Sequence, residues 1–201
     1  MTIDDIPVIA PYFRFVTTNT CDFTVGGMFM WRDYFHMAWQ VEDGVLYSTL
    51  TGEDGNLYYN LPLGEDIPAG LRQCLARHPE RPVRFCTIPE ADLPLFRELP
   101  GRVEITEEEN FADYLYSAEE MIQLSGKKFS GQRNHISRFL RTCQSWSFEP
   151  LDSTDAAEVE AFFHTLNKKL NYAPGEAAEE NHKVQEVLEH LDQYGLVGGV
   201  L

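Results

Sequence analysis

The amino-acid sequence predicts an α/β (α+β) fold with a mixed, mainly antiparallel sheet. Three observations lead to this prediction. Three consecutive short runs are rich in strand-forming residues, turn sequences typical of hairpins separate them, and segments with helical periodicity lie on either side. With 201 residues, 43% of them hydrophobic, the chain can form one large domain or two small ones.

The N-terminal part is predicted to hold helical segments followed by the sheet. A short helical segment is expected over Thr2–Phe13 and a helix over Asp22–Arg32, where two adjacent glycines weaken the helical pattern. Two acidic turns that contain glycine join the three strand-forming runs into an antiparallel meander. The predicted strands are Met37–Val41, Val45–Thr51 and Leu57–Leu61.

Helices and strands alternate after the meander. Ile67–Arg77 is predicted as a helix, Val83–Ile88 as an apolar strand, and Pro89–Leu99 as a helix that begins with proline. Two more strands are predicted at Val103–Thr106 and Asp113–Tyr116. The order of helix, meander, helix, strand and helix is that of the core of an acetyltransferase-like (GNAT-like) fold.

The C-terminal part begins the same order of elements again, without repeating the sequence. A capping box at Ser117 starts a short helix, and a basic helix follows. A strand over Trp146–Leu151, two helices that separate near residues 171–175, and a final strand over Leu196–Leu201 come next. We therefore expect a second domain that the chain enters and does not complete. The predicted divisions are 1–125 for the first GNAT-like domain, 126–144 for a basic connecting helix, and 145–201 for the beginning of the second GNAT-like domain.

The segment Met121–Phe148 contains no Asp or Glu, although the chain has 32 of them and a formal net charge of −16. This charge excludes a general affinity for nucleic acids or anionic membranes, so any binding of anions must be local. The guanidinium group of Arg suits bidentate hydrogen bonding to phosphate, and the ammonium group of Lys acts as a point charge. The alternative is a solvated helix face whose cations pair with the acidic surface. The candidate phosphate-binding residues are Lys127, Lys128, Arg133 and Arg138, and Arg141 is the fifth cation of the segment.

Several classes of protein and site find no support in the sequence. No apolar run is long enough to span a bilayer and the N-terminus lacks a signal-peptide pattern, so we expect no integral membrane segment and a cytoplasmic location. The four cysteines are widely spaced and no histidine pair has chelate spacing, so no metal site is predicted. A nucleophile elbow is missing, as is the glycine-rich turn with which acetyltransferases hold a pyrophosphate. The sequence therefore assigns no catalytic residue.

Five short motifs, taken together with their separations, resemble one family. They are Phe29–Tyr34, Leu61–Gly64, Asp113–Glu120, Leu124–Lys128 and Arg133–Asn134. On these motifs the chain resembles the DUF2156 family, which is similar to the C-terminal domain of phosphatidylglycerol lysyltransferases. The resemblance covers Ile3–Leu201 and implies a tandem pair of acetyltransferase-like domains, as in the peptidoglycan-bridge aminoacyltransferases.

The resemblance also implies a function. The implied function is that of an acyl- or aminoacyl-transferase whose donor is acyl-CoA or aminoacyl-tRNA. This chain is expected to be an incomplete transferase. The alternative is a non-catalytic module that binds a phosphate-bearing partner, such as RNA, a nucleotide or a lipid headgroup, through the basic helix. A homodimer formed through the open strand edge at the C-terminus is a further expectation.

Overall fold

The computed structural model of the chain describes residues 1–109, 112–170 and 174–201. Internal contacts divide the chain into two compact units. Unit 1 comprises residues 1–111 and 152–196, and unit 2 comprises residues 112–151 and 197–201. The domain boundaries predicted after residues 125 and 144 stay a prediction.

Unit 1 is built around a four-stranded mixed sheet. Its strands are β1 (Ala38–Glu42), β2 (Val45–Thr51), β3 (Leu57–Tyr59) and β4 (Arg84–Phe85), and they lie in the order β1-β2-β3-β4. The first three are antiparallel to one another, whereas β4 runs parallel to β3. The predicted meander and the predicted α/β class are therefore confirmed, and the architecture is consistent with an acetyltransferase-like (GNAT-like) fold.

The β1–β2 hairpin follows directly from its turn residues. Asp43 and Gly44 both have positive φ angles, 49° and 75°, as the two central positions of a type I′ turn require. Asp tolerates this conformation better than most residues, and Gly adopts it without steric cost. The turn pairs Glu42 with Val45 and thereby sets the register of the whole hairpin.

α-Helices occur in both units, and 3-10 turns extend several of them. The helical segment predicted over Thr2–Phe13 consists of α1 between two such turns. Residues 171–173, where the break between the last two long helices was predicted, lie outside the described residues. The α-helices are α1 (Ile6–Ile9), α2 (Val25–Met30), α3 (Ile67–Ala76), α4 (Leu93–Arg97), α5 (Ala118–Gln123), α6 (Ser130–Thr142), α7 (Ala156–Leu170), α8 (Pro174–Glu189) and α9 (Leu191–Tyr194).

Apolar side chains of the sheet pack against helices on both of its faces. Successive residues of β2 point to opposite faces. Leu46 accordingly packs with Phe29 of α2, whereas Val45 and Tyr47 pack with Cys74 of α3. A third apolar cluster consists of Phe23, Leu61, Leu71 and Phe96.

Two predicted strands, Val103–Thr106 and Asp113–Tyr116, are wrong, since neither segment is part of a strand. The apolar side chains of both are open to solvent; Ile105 is 47% exposed and Tyr114 is 88% exposed. A strand-forming sequence becomes a strand only where a neighbouring strand and an apolar surface stabilise it.

Several other elements are shorter than predicted, and two of them are shortened for a local reason. The strands predicted over Trp146–Leu151 and Leu196–Leu201 form only at Glu149–Pro150 and Gly199–Val200. The helix expected over Asp22–Arg32 starts only at Val25, because the Thr24 side chain accepts a hydrogen bond from the Gly27 amide and so caps α2. The strand expected over Val83–Ile88 shrinks to β4, because the chain turns at Thr87, which has a φ of 52°.

Unit 2 contains α5, α6 and a two-stranded antiparallel sheet of β5 (Glu149–Pro150) and β6 (Gly199–Val200). Helix α6 confirms the helical periodicity of the basic segment. Its apolar side chains are only partly covered, since Ile136 and Leu140 are 48% and 50% exposed. Among the described residues of this unit, Phe129 is the one buried side chain.

Candidate functional site

Helix α6 of unit 2 and the turn that precedes it carry the free cations of the chain's basic segment. A 3-10 turn, Lys127–Phe129, leads into the helix after Gly126, which has a φ of 82°. Lys127, Arg138 and Arg141 are exposed and form no ion pair with any residue that the structure describes. Unpaired, hydrated cations can bind an anion without first breaking an internal contact.

Two of the four predicted phosphate-binding residues are engaged within unit 2. The Lys128 Nζ lies 2.7 Å from a carboxylate oxygen of Glu120 and 4.9 Å above the ring of Phe129. The Arg133 Nη1 donates to the backbone carbonyls of Leu124 and Gly126, the latter at 2.7 Å. Arg133 therefore closes the turn between α5 and α6, where Leu124 adopts a left-handed φ of 48°.

The two units differ in formal charge. Unit 2 carries five Lys and Arg and four Asp and Glu, whereas unit 1 carries eleven and twenty-eight. Unit 1 thus has a strongly negative formal charge, which disfavours polyanions, and unit 2 is close to neutral. The cations of unit 2 are grouped in the 3-10 turn Lys127–Phe129 and on α6.

An open groove of about 780 Å³ in unit 1 has the opposite electrostatic character. Asp43, Glu65 and Asp66 line it, with Arg14 as the cation among its lining residues. The groove lies at the start of α3, where the Asp66 side chain already accepts the hydrogen bond of the Ala69 amide. With an acidic cap and a proline in its first turn, this helix start does not fit a pyrophosphate.

The parallel strands β3 and β4 end side by side in unit 1. The Cys86 amide donates to the Tyr59 carbonyl at 3.0 Å, whereas the Asn60 amide donates to Ser48 of β2, so the two strands diverge there. Ligand sites in α/β proteins commonly lie outside the carboxyl ends of parallel strands, where such a divergence opens. This corner is therefore a second place at which unit 1 can hold a ligand.

The corner combines a buried amide with a strained residue. The Asn60 Nδ2 donates to the Ser48 Oγ at 3.0 Å, and its Oδ1 has only long contacts, at 3.4 Å to the Thr87 Oγ1 and 3.6 Å to the Cys86 Sγ. A left-handed φ is rare for a β-branched residue such as Thr87 and costs about 1–3 kcal/mol. Burial raises the pKa of the Cys86 thiol to about 11, which keeps it protonated at neutral pH and unsuited to act as a nucleophile.

A buried ionic cluster in unit 1 was not predicted from the sequence. Two guanidinium nitrogens of Arg32 lie 2.6 and 2.5 Å from the two carboxylate oxygens of Glu186, and the Tyr194 hydroxyl donates to the same carboxylate at 2.7 Å. Next to this cluster, the Lys183 ammonium is paired with Asp33. The motif that contains Arg32 and Asp33 is visible in the sequence, but its partners lie about 150 residues away and carry no signal that links the two segments.

The described residues hold neither a membrane-spanning helix nor a metal-binding cluster. No helix in the described ranges is both long enough and apolar enough to cross a membrane. Within the same part of the chain, no group of three or more His, Cys, Asp or Glu side chains is arranged to hold a metal ion.

Comparisons with known proteins give a family match and a similar solved structure. A family model described as "Phosphatidylglycerol lysyltransferase, C-terminal" matches residues 13–201. A crystal structure titled as a conserved protein of unknown function from Bacteroides thetaiotaomicron VPI-5482 is similar along 100% of this chain, with 27% sequence identity and a TM-score of 0.78, and the match covers 69% of that chain. Among curated proteins no match is found.

Proposed function

This chain belongs to the phosphatidylglycerol lysyltransferase C-terminal family, and we propose that it acts in acyl or aminoacyl transfer by holding a phosphate-bearing donor on helix α6. The donor would be an aminoacyl-tRNA or an acyl-CoA. The single observation that carries the proposal is that three exposed cations, in the turn before α6 and on α6, have no acidic partner among the described residues of a chain with a net charge of −16. They are Lys127, Arg138 and Arg141.

The roles proposed for the cations follow from their contacts. Lys127 and Arg138 would contact phosphate directly, together with Arg141, which the sequence prediction did not include in the site. Lys128 and Arg133 would act mainly by fixing the turn that presents these side chains, because both already have partners in that turn. A rigid turn places the cations before the ligand arrives, which lowers the entropic cost of binding.

The reaction itself would depend on positioning. Transfer of an acyl group to an amine or hydroxyl needs the donor carbonyl and the acceptor held in contact, and a group that removes the acceptor proton. Within unit 1 taken by itself, the Thr87 hydroxyl and the Asn60 side chain at the ends of β3 and β4 are polar groups beside which a small ligand can bind. Neither side chain has the chemistry of a general base at neutral pH.

A second candidate function is a non-catalytic module that binds phosphate-bearing partners through the same helix. The acidic start of α3 favours it, because the helix start that follows β3 does not fit a pyrophosphate. The two functions share the cations of α6 and differ in whether a group is transferred.

The test uses a variant that removes the three free cations, with Ala at 127, 138 and 141. Binding of a tRNA and of acyl-CoA is measured at several salt concentrations, since each lost phosphate contact lowers the salt slope by about one. We expect at least about tenfold weaker binding at low salt and a slope reduced by two to three. The matched control replaces Arg72, Lys168 and Lys169, three exposed cations of unit 1, and is expected to bind as the unaltered chain does.

Transfer is measured separately, with labelled aminoacyl-tRNA and vesicles that contain phosphatidylglycerol. Transfer of the label to the lipid by the unaltered chain, together with loss of this transfer in the three-cation variant, supports the transferase function. Binding with normal salt dependence and no transfer supports the binding module. Equal salt slopes for the variant and the unaltered chain contradict both functions.

A further inference from the structure

Two consecutive residues that follow α2 carry opposite charges, and so do two residues one turn apart on α8. Arg32 pairs with Glu186, and Asp33 pairs with Lys183. In each segment the cation precedes the anion in the sequence. Arg32 pairs with the later of the two α8 residues and Asp33 with the earlier one, so the pairs are crossed. This complementarity allows one alignment of α8 on the end of α2, because a shift along α8 would bring like charges together.

Three of the four side chains are withdrawn from water. The Arg32 side chain is 8% exposed, Glu186 is 15% exposed and Lys183 is 2% exposed, whereas Asp33 remains 59% exposed. Arg32 is tied further by hydrogen bonds from its Nη1 to the Phe29 carbonyl at 2.7 Å and to the Tyr194 hydroxyl at 3.2 Å. A buried charge that loses its partner is strongly destabilising, so these pairs resist being opened one at a time.

Apolar contacts also join the α8–α9 segment to α2. The Tyr194 ring meets the edge of Phe29 with a centroid distance of 6.2 Å, and Leu188 is buried. Beyond α9 the chain reverses at Gly195, and Leu196 then packs close to Gly26 of α2, where a Cβ atom would lie 3.3 Å from its side chain. The α8–α9 segment, residues 183–194, therefore packs against the C-terminal end of α2, and Leu196 continues the contact to Gly26.

We propose that the crossed Arg32–Glu186 and Asp33–Lys183 pairs form an ion lock that fastens the α8–α9 segment to α2, and that this segment opens as one unit when either pair is broken. The lock gives a physical role to the Arg-Asp part of the motif at Phe29–Tyr34, which the proposed phosphate binding does not use. It stands independently of the proposed function. Opening would uncover the apolar surface of α2 while the sheet of unit 1 stays folded.

The lock is tested by hydrogen exchange on the whole chain. Asp33→Asn removes the carboxylate of the Asp33–Lys183 pair at the exposed side of the lock. We expect the amides of residues 183–194 to exchange at least about tenfold faster, with the amides of β1, β2 and β3 unchanged. The double variant Asp33→Asn with Lys183→Met is expected to exchange more slowly than Asp33→Asn alone, because an apolar side chain replaces the buried ammonium.

Glu186→Gln provides an independent second variant, which must speed exchange over the same residues 183–194. The matched control is Arg102→Met, which breaks the Arg102–Glu104 pair, whose side chains are 89% and 80% exposed, and is expected to leave exchange unchanged. The proposal is overturned by unchanged exchange in Asp33→Asn, by equal acceleration in the sheet, or by a response of different amides to the two variants.

Discussion

Glu186 shows how one carboxylate can be held ionised inside the protein. The hydrogen bonds from Arg32 lower the pKa of Glu186, burial opposes this effect, and the Tyr194 hydroxyl adds a further hydrogen bond, so that the pKa falls from 4.5 to about 2. The same carboxylate raises the pKa of Arg32. Burial and the neighbouring carboxylate raise the pKa of Tyr194, whose phenol therefore stays protonated.

This pKa predicts an acid-sensitive part of the stability. The unfolded chain has an ordinary Glu186, so the contribution is fully present above about pH 4.5 and is lost as the pH falls from there towards 2. Its size is on the order of 3 kcal/mol. Urea unfolding at pH 7, 4 and 3 should show a steeper loss of stability for the unaltered chain than for Glu186→Gln, which lacks this titration. Parallel pH profiles for the two proteins would contradict the prediction.

The candidate site could be predicted only in part at the level of single residues. The acid-free segment coincides with the turn and helix that carry the grouped cations, and Lys127 and Arg138 are exposed without a described ionic partner. Lys128 and Arg133 have the same composition signal but are occupied, since Glu120 and a backbone carbonyl reach them. Composition reveals where cations are grouped, whereas the partners of each cation depend on the path of the backbone.

Glycines in two helices give a prediction for the elements. In an open helical position, replacing Gly with Ala stabilises by about 0.5–1 kcal/mol. Gly131 of α6 meets this condition, because a Cβ atom there has nothing within 4 Å. Gly27 of α2 does not, because its Cβ atom would lie 2.4 Å from the Cys21 carbonyl oxygen, which belongs to the backbone.

We therefore expect opposite effects from the same substitution. Gly131→Ala should raise helix content, whereas Gly27→Ala should cost about 1–3 kcal/mol through overpacking. Gly26→Ala is the intermediate control, because its Cβ atom would meet only the flexible Leu196 side chain, at 3.3 Å. Thermal unfolding followed by circular dichroism measures all three, and a stabilising Gly27→Ala would show that the contact with Cys21 is not tight.

The sheet was the most predictable element because its turns are chemically defined. Asp43 and Gly44 fix the first hairpin locally, so the sequence predicts both strands, although the first was predicted to end at Val41 and reaches Glu42. The strands predicted at Val103–Thr106 and Asp113–Tyr116 had suitable side chains but no partner strand. Strand formation there depended on long-range pairing, which a single sequence does not record.

At the scale of the whole molecule, apolar burial differs between the two units. Unit 1 contains all three apolar clusters, whereas Phe129 is the one buried side chain among the described residues of unit 2. Helix α6 has 13 residues, and an isolated helix of this length is only marginally stable in water. The β5–β6 pair contributes two residues from each strand.

These differences predict two levels of protection against hydrogen exchange in one chain. Amides of β2 and α3 should exchange only through global unfolding, because their side chains lie in the apolar clusters. Amides of α6 should exchange at least about a hundredfold faster, because little apolar surface has to be uncovered to open the helix. Native-state exchange read by mass spectrometry measures both segments in one sample.

If the cations of α6 bind phosphate, a saturating tRNA should slow exchange in α6 and leave β2 unchanged, because binding stabilises the folded form of the segment that it contacts. Equal protection of α6 and β2 in the free protein would show that unit 2 is stabilised by more than its own buried residues.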